Sequence, residues 1–195
     1  MNLRNLVIFS LLFFCCEPNQ SKNQRDNNLE YNPEKRLEQL GIKIPEVSPP
    51  VANYVRVVKS GNLLFLSGSG PKKADGSYIT GKLGKELTIE DGYQAAWLTG
   101  VNHIATLKSE LGNLNRVKRI VKVLGMVNSS PDFTDQPKVI NGASDLIASV
   151  FGDSGMHTRA AVSVNSLPLG VAVEVDAVFE PVSYTHLTLP TKRIV

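Results

Sequence analysis

Two stretches decide the fold of this chain: His157-Thr158-Arg159-Ala160-Ala161-Val162-Ser163-Val164 and Val171-Ala172-Val173-Glu174-Val175-Asp176-Ala177. Small and β-branched residues dominate both stretches and alternate with polar ones, which predicts two strands. Leu167-Pro168-Leu169-Gly170 breaks the pattern between them and predicts a loop. We therefore expect a connected strand–loop–strand unit in which Arg159 and Glu174 face a common cleft.

This arginine and this glutamate suit complementary chemical tasks. The planar guanidinium of Arg159 can hold a carboxylate through two parallel hydrogen bonds. The carboxylate of Glu174 can position a water molecule or transfer a proton. The alternative interpretation is a surface arginine near the glutamate of an edge strand, since isolated charge pairs often have little significance.

The rest of the chain predicts an α+β domain. Residues 54–59, 62–67 and 116–128 are predicted strands, a short helix is predicted over 33–40, and longer helices begin at Thr88 and lie within 133–151. Ser60-Gly61 predicts a hairpin turn between the first two strands, and residues 68–70 predict a tight turn. The order β-β-α-β-α-β-β predicts a mixed sheet with two helices packed on one face. The other face carries apolar residues and needs a partner.

The closing strands resemble a known family signature. Arg159, the small residues after it, the Leu167-Pro168 break and the strand around Glu174 are similar to the C-terminal signature of the RidA (YjgF) family of reactive-intermediate deaminases. Upstream, Asn53-Tyr54-Val55 and Leu66-Ser67-Gly68-Ser69-Gly70-Pro71 resemble the N-terminal hairpin of that family. The resemblance extends over about residues 48–180. It therefore covers nearly a whole domain.

One further position agrees with the family pattern, and two positions differ from it. Asn141 stands where family members carry a polar pocket residue. His157 replaces the proline or alanine that is usual before the arginine, and Ala161 occupies a position that is often cysteine. The sequence thus resembles a less characterised branch of the family with an extended N-terminus. The resemblance therefore predicts the fold of this chain better than it predicts the substrate.

The resemblance implies a chorismate-mutase-like homotrimer with pockets between subunits. It implies hydrolytic deamination of small enamines and imines to 2-oxo acids and ammonia, without a cofactor. Arg159 would hold the substrate carboxylate, and Glu174 would position water or relay a proton. Backbone groups near Ala161 would orient the substrate nitrogen. The pocket would be lined by Tyr54, Ser67 and Asn141.

Two other function classes remain open. The first is a non-catalytic trimer at the cell envelope that binds a small carboxylate or protects other proteins. The second is a nuclease, which neither the balanced charge of the domain nor its lack of metal ligands favours. Both cysteines lie near the N-terminus, and the three histidines are isolated from one another, so no metal site is predicted. His103 falls in a helical pattern and is interpreted as structural.

The N-terminus resembles an export signal. Residues 1–16 contain Arg4 followed by an apolar run that ends at Cys15 and Cys16. This pattern is similar to a bacterial lipobox and predicts an exported, periplasmic or cell-envelope lipoprotein lipidated at Cys15, or less fittingly at Cys16. Membrane contact would then occur only through this anchor, with plain secretion or a retained anchor as alternatives. Residues 17–32 are polar and predict a flexible tether to a domain at 33–181.

Residues 182–195 continue no pattern of the domain and resemble a translated sequencing adapter, so we expect them to be non-native; the alternative is an edge strand.

The chain has 21 basic and 18 acidic residues. Without Arg4, Lys192 and Arg193, the basic residues number 18 and the charges balance. A neutral domain lacks the general attraction on which nucleic-acid binding depends, so no nucleic-acid partner is predicted.

Overall fold

The computed structural model describes residues 31–47 and 53–182. The proposed signal segment at 1–16, lipidation of Cys15 and most of the tether lie outside the described residues, as do residues 183–195 of the proposed tail. None of the helices in the described ranges is long and apolar enough to cross a membrane.

Three α-helices and five strands make up the described domain. In chain order they are α1 (Pro33–Gln39), β1 (Val57–Ser60), β2 (Leu63–Ser69), α2 (Ile89–Leu111), β3 (Val117–Asn128), α3 (Gln136–Phe151), β4 (Thr158–Val164) and β5 (Val173–Pro181). The sheet has the order β1-β2-β5-β3-β4, in which β3 and β4 run parallel and all other neighbours run antiparallel. The predicted α+β architecture with a mixed sheet is confirmed.

The two closing strands are connected in sequence but are not neighbours in the sheet. β3 lies between β4 and β5 and pairs with both of them. The loop through Leu167–Gly170 carries the chain past the end of β3, where the Asn128 amide donates to the Ala172 carbonyl. The expected connected strand–loop–strand unit is confirmed, but its two strands do not pair with each other, because the long apolar strand β3 lies between them.

The two long helices pack on one face of the sheet, as predicted. Thr88 caps α2 in a capping box with Asp91, each side chain bonding the other residue's backbone N–H. Helices α2 and α3 approach so closely at Gly142 that a Cβ there would overlap the backbone carbonyl of Tyr93. The close approach puts both apolar faces in one core against β3 and β5.

The domain begins slightly before its predicted start. The side chain of Asn32 accepts a hydrogen bond from the Lys35 amide and caps α1. The Tyr31 hydroxyl donates to the Val117 carbonyl at 2.6 Å. These two residues therefore belong to the domain and not to the tether predicted over 17–32.

Other predicted boundaries also shift. β1 begins at Val57 instead of Tyr54, and β2 continues through Gly68 to Ser69. The predicted tight turn at 68–70 is instead a β-bulge: Leu66 pairs with Ala177 and Ser69 with Val175, so β2 holds one residue more than β5 between these pairs. At the other end, the Val182 amide donates to the Arg116 carbonyl, so the first residue of the predicted tail contacts the domain.

The second face of the sheet has no helix over it within the described chain. Along β5, residues buried under the helices alternate with partly exposed ones. On the uncovered face Phe65 pairs with Val178, and Phe65 is 43% exposed. Leu124 and Met126 of β3 also lie on this face and are only partly buried. The single chain thus exposes apolar side chains next to Glu174 and Asp176.

Candidate active site

Arg159 is held in a fixed orientation by helix α3. Its Nη1 donates to the Asn141 Oδ1 at 2.8 Å and to the Ser144 Oγ at 3.0 Å. The two acceptors are three residues apart and therefore share one face of the helix. Because Nη1 has two hydrogens and both are used, the Nε and Nη2 edge keeps the parallel donors that bind a carboxylate.

A histidine extends this network beyond the serine. The Ser144 Oγ lies 3.0 Å from the Nε2 of His157, and the Nδ1 of His157 lies 2.7 Å from the carbonyl oxygen of Gly155. Sequence reasoning noted His157 only as a departure from the family pattern and did not find Ser144. The spacing of Asn141 and Ser144 on one helical face was the available signal for it.

Glu174 lies elsewhere, on β5 against β2. Its carboxylate covers the backbone of Gly68 so closely that a Cβ there would overlap it. Burial raises the pKa of Glu174, and the neighbouring charge of Asp176 raises it further. Glu174 is thus a half-buried carboxylate that holds a proton more readily than an exposed glutamate does.

Arg159 and Glu174 do not share a cleft within one chain. Arg159 contacts α3 and so reaches toward the helix-covered face of the sheet. Glu174 alternates along β5 with buried Val173 and Val175 and so points to the uncovered face. The expected common cleft is therefore wrong for a single chain, since the side chains point to opposite faces and β3 lies between their strands.

The other predicted pocket residues divide between the two locations. Ala161 pairs with Gly125 across the β3–β4 ladder and packs against the core, on the same face as Arg159. Ser67 precedes Gly68 in β2, and its hydroxyl donates to the Val55 carbonyl at 2.8 Å. The site residues therefore divide into two half-sites: the arginine half-site contains Arg159, Asn141 and Ala161, and the glutamate half-site contains Glu174 and Ser67.

Tyr54 lines a small cleft that reaches Gly68, beside the glutamate half-site, but neither Glu174 nor Ser67 lines this cleft. This cleft has a volume of about 110 Å³, and its walls include Tyr54, Gly68 and Tyr78. Tyr54 is 43% exposed, so its ring can meet a ligand or another chain.

No metal site accompanies these residues in the described ranges, where no three His, Cys, Asp or Glu side chains cluster. His103 is fully buried in α2, and its Nε2 lies 2.8 Å from the Val175 carbonyl. Burial lowers its pKa to about 4, so the neutral ring donates to β5. The structural interpretation of His103 is consistent with this position.

Comparison with known proteins decides the family. Residues 34–179 match the family described as "YjgF/chorismate_mutase-like, putative endoribonuclease". The chain belongs to the RidA (YjgF) family. This match covers both half-sites, so the RidA-family domain of this chain contains every predicted pocket residue.

Three relatives illustrate how far the similarity of this RidA-family chain extends. Protein TCP17 of Trypanosoma cruzi is 50% identical over 145 residues, which cover 74% of this chain and 91% of that protein. The crystal structure of Atu1372 from Agrobacterium tumefaciens, a protein of unknown function, is 42% identical, with a TM-score of 0.70 over 76% of this chain and 91% of that one. A Shewanella oneidensis structure that carries the same endoribonuclease description is 35% identical, with a TM-score of 0.74 over 76% and 99% of the two chains.

Proposed function

We propose that this RidA-family protein hydrolyses small enamines and imines derived from amino acids, and yields 2-oxo acids and ammonia. The observation that carries the proposal is the anchoring of Arg159. Asn141 and Ser144 fix the guanidinium through Nη1. The remaining Nε and Nη2 donors match the two oxygens of a carboxylate, which every 2-imino acid carries.

The reaction makes modest demands on the protein. A protonated imine carbon is already electrophilic, so the site must hold the substrate, admit one water and manage its protons. Arg159 binds the substrate carboxylate. Glu174 supplies a carboxylate that can orient the water, and burial raises its pKa, so it takes up a proton more readily than an exposed glutamate does. Backbone groups near Ala161, on the edge strand β4, would orient the substrate nitrogen.

We also propose that the complete pocket forms between copies of the chain in a homotrimer. One copy would contribute the arginine half-site and its neighbour the glutamate half-site. Support comes from the opposite orientations of Arg159 and Glu174 within one chain. The partly exposed apolar residues around Glu174 support it as well, because a second copy would cover them.

A non-catalytic carboxylate binder is the competing function of the same site. It uses Arg159 identically but needs no water or proton transfer. The proposed export of the chain favours this alternative, since imines arise mainly beside cytoplasmic enzymes. The endoribonuclease description of the family is a third outcome, which the balanced charge of the domain does not favour.

Ammonia release from an imine generated in situ tests the proposal. We expect Arg159→Ala and Arg159→Lys to lower kcat/KM by about 10- to 100-fold, since each loses charge-assisted hydrogen bonds to the carboxylate. Arg36→Ala is the matched control, because Arg36 is an exposed arginine on α1, outside both half-sites. Thermal melting of each variant verifies that the fold is intact.

The outcomes separate the three functions. Arg159-dependent ammonia release supports the deaminase. Arg159-dependent binding of pyruvate without acceleration of ammonia release would indicate the carboxylate binder and refute catalysis. If the protein cleaves RNA and Arg159→Ala cleaves it at the same rate, the proposed function of the site is refuted.

A further inference from the structure

The direction of the Ser144 hydroxyl is determined by His157. A carbonyl oxygen can only accept, so the contact of His157 Nδ1 with the Gly155 carbonyl at 2.7 Å requires a hydrogen on Nδ1. In the neutral ring Nε2 is then an acceptor. The Ser144 hydroxyl, 3.0 Å from Nε2, is therefore the donor in that hydrogen bond.

Ser144 differs in this respect from other hydroxyl side chains of the two long helices. Serine and threonine in helices often donate to a carbonyl three or four residues earlier in the same helix. Three residues of α2 and α3 do so in this protein: Thr99, Thr106 and Ser149. Ser144 has carbonyls of α3 at the same spacing, but its hydrogen goes to His157. The imidazole therefore competes with the backbone of α3 for this hydroxyl.

The direction of this hydrogen decides what Ser144 offers to Arg159. With its hydrogen on His157, the serine oxygen keeps its lone pairs, and one of them accepts from Arg159 Nη1 at 3.0 Å. The other hydrogen of Nη1 goes to the Asn141 Oδ1 at 2.8 Å. Two hydrogen bonds from one nitrogen fix the orientation of the guanidinium, whereas a single bond would let it pivot about Nη1.

The full use of Nη1 limits how a carboxylate can bind to Arg159. An arginine has five N–H donors and can pair with a carboxylate through either of two edges, Nε with Nη2 or Nη1 with Nη2. The second edge needs a hydrogen of Nη1, and side chains of α3 occupy both of them. Only the Nε–Nη2 edge remains, so a bound carboxylate has one orientation.

We propose that His157 is a positioning residue that acts through Ser144 to restrict Arg159 to this single carboxylate orientation. The role rests on the proposed function, in which Arg159 binds the substrate carboxylate. It needs no contact between the substrate and His157, because Ser144 binds Nη1 and the substrate binds the opposite edge. The imino carbon of a 2-imino acid is bonded to the carboxylate carbon, so a fixed carboxylate also fixes the reacting carbon.

Removal of the imidazole therefore has a specific expected effect. In His157→Ala the Ser144 hydroxyl turns to a carbonyl of α3, and Nη1 regains a hydrogen for a ligand. The carboxylate then also binds through Nη1 and Nη2, which misplaces the reacting carbon. In assays of ammonia release we expect kcat to fall by about 10-fold, as misplacement predicts, while KM does not rise.

Glutamine at 157 provides the conservative rescue. Its side-chain oxygen can accept from Ser144, and its amide can donate to the Gly155 carbonyl, as the neutral imidazole does. We expect His157→Gln to keep kcat within about 2-fold of wild type, since both hydrogen bonds are replaced, and Ser144→Ala to resemble His157→Ala. Ser149→Ala is the control on the same helix, because its hydroxyl donates to the Leu146 carbonyl. Thermal melting verifies the fold of each variant.

The Nε–H signal of Arg159 in nitrogen-15 NMR spectra of the full chain tests the same proposal without turnover. Arg159→Lys lacks this signal and so identifies it. Added pyruvate, a small carboxylate, should shift the signal strongly in wild type and in His157→Gln. The shift should be much smaller in His157→Ala, because part of the bound pyruvate then contacts the other edge of the guanidinium.

The possible results separate the positioning role from the function on which it rests. Equal shifts in wild type and His157→Ala overturn the positioning role, and so does the absence of a shift in wild type. A rise in KM at unchanged kcat in His157→Ala also overturns it, because His157 would then only strengthen binding. If the shifts differ as expected but wild type releases no ammonia, the deaminase is refuted and the positioning role stands for a carboxylate binder.

Discussion

At the scale of single residues, the side chain of Arg159 illustrates how one arginine can be both anchored and available. Its Nη1 binds two acceptors on α3, and the opposite edge of the guanidinium remains for a ligand. Anchoring lowers the entropy cost of binding, because the guanidinium does not have to be ordered when the ligand arrives. Asn141, predicted as a pocket residue, thus acts on Arg159 through its oxygen.

Gly68 has a comparable effect on Glu174. No side chain other than hydrogen fits beneath the carboxylate, so the bulge in β2 brings backbone into direct contact with it. Apolar surroundings and Asp176 then raise the pKa of Glu174. The same glutamate on a strand without this close approach would be more exposed to water and would keep an ordinary pKa.

The buried His103 predicts how stability depends on pH. Its pKa is lowered from 6.5 to about 4, so the unfolded chain binds its proton more readily than the folded chain does. The contribution of His103 to the free energy of unfolding is complete above pH 6.5. It is lost as the pH falls toward 4, by up to about 3 kcal/mol.

Urea unfolding of wild type and His103→Gln at pH 7, 5.5 and 4.5 checks this prediction. Glutamine can still donate to the Val175 carbonyl but does not titrate. We expect wild type to lose more stability than the variant as the pH falls. Comparing the two proteins at each pH cancels the opposite effect of Glu174, whose raised pKa favours the folded state in acid. Parallel pH profiles would contradict the assignment.

At the scale of elements, the contact between α2 and α3 positions the arginine half-site. Gly142 lies next to Asn141 on α3, and its missing side chain allows the backbone of α3 to approach Tyr93 on α2. The Tyr93 hydroxyl also donates to Asp145 across the same contact. The distance between α3 and α2 therefore determines where Asn141 and Ser144 accept hydrogen bonds from Arg159.

Gly142→Ala tests this dependence. The added methyl group would overlap the Tyr93 carbonyl, which is backbone and cannot rotate away. We expect a loss of about 1–3 kcal/mol in the free energy of unfolding, as is typical of overpacking. Ser149→Ala on the same helix should change stability by about 0.5 kcal/mol or less. Urea unfolding at pH 7 measures both, and equal stabilities of the two variants would refute the close contact.

At the scale of the whole molecule, the division into half-sites predicts that activity depends on assembly. In a closed ring each site would combine the arginine half-site of one copy with the glutamate half-site of the next. Light scattering on the chain with residues 1–30 removed should then give about three times the monomer mass. An active monomer would contradict both the trimer and the shared pocket.

Mixed assemblies provide a sharper version of this test. Arg159→Ala and Glu174→Ala proteins are each expected to be inactive as pure trimers. After joint refolding in equal amounts, about one quarter of the interfaces would combine two intact half-sites, as random assembly of a closed ring requires. Recovery of about a quarter of wild-type activity supports the shared site, whereas complete absence of recovery indicates that each chain contains its own.

Several features followed from the sequence because they depend on neighbouring residues. The start of α2 at Thr88, the alternation along β5 and the order of the elements each depend on residues only a few positions apart. The residue types of both half-sites were predicted for the same reason, since the motifs around Arg159 and Glu174 are contiguous stretches of chain. The family and the mixed α+β architecture were predictable on that basis.

Only the tertiary structure decided how these pieces meet. The placement of β3 between β4 and β5, the opposite directions of Arg159 and Glu174, and the position of Gly68 beneath a carboxylate depend on pairing between distant strands. The link from Arg159 through Ser144 to His157 depends on how α3 packs over the sheet edge. A local pattern specifies which face of a strand is apolar, but strand order and helix depth result from the packing of the whole core.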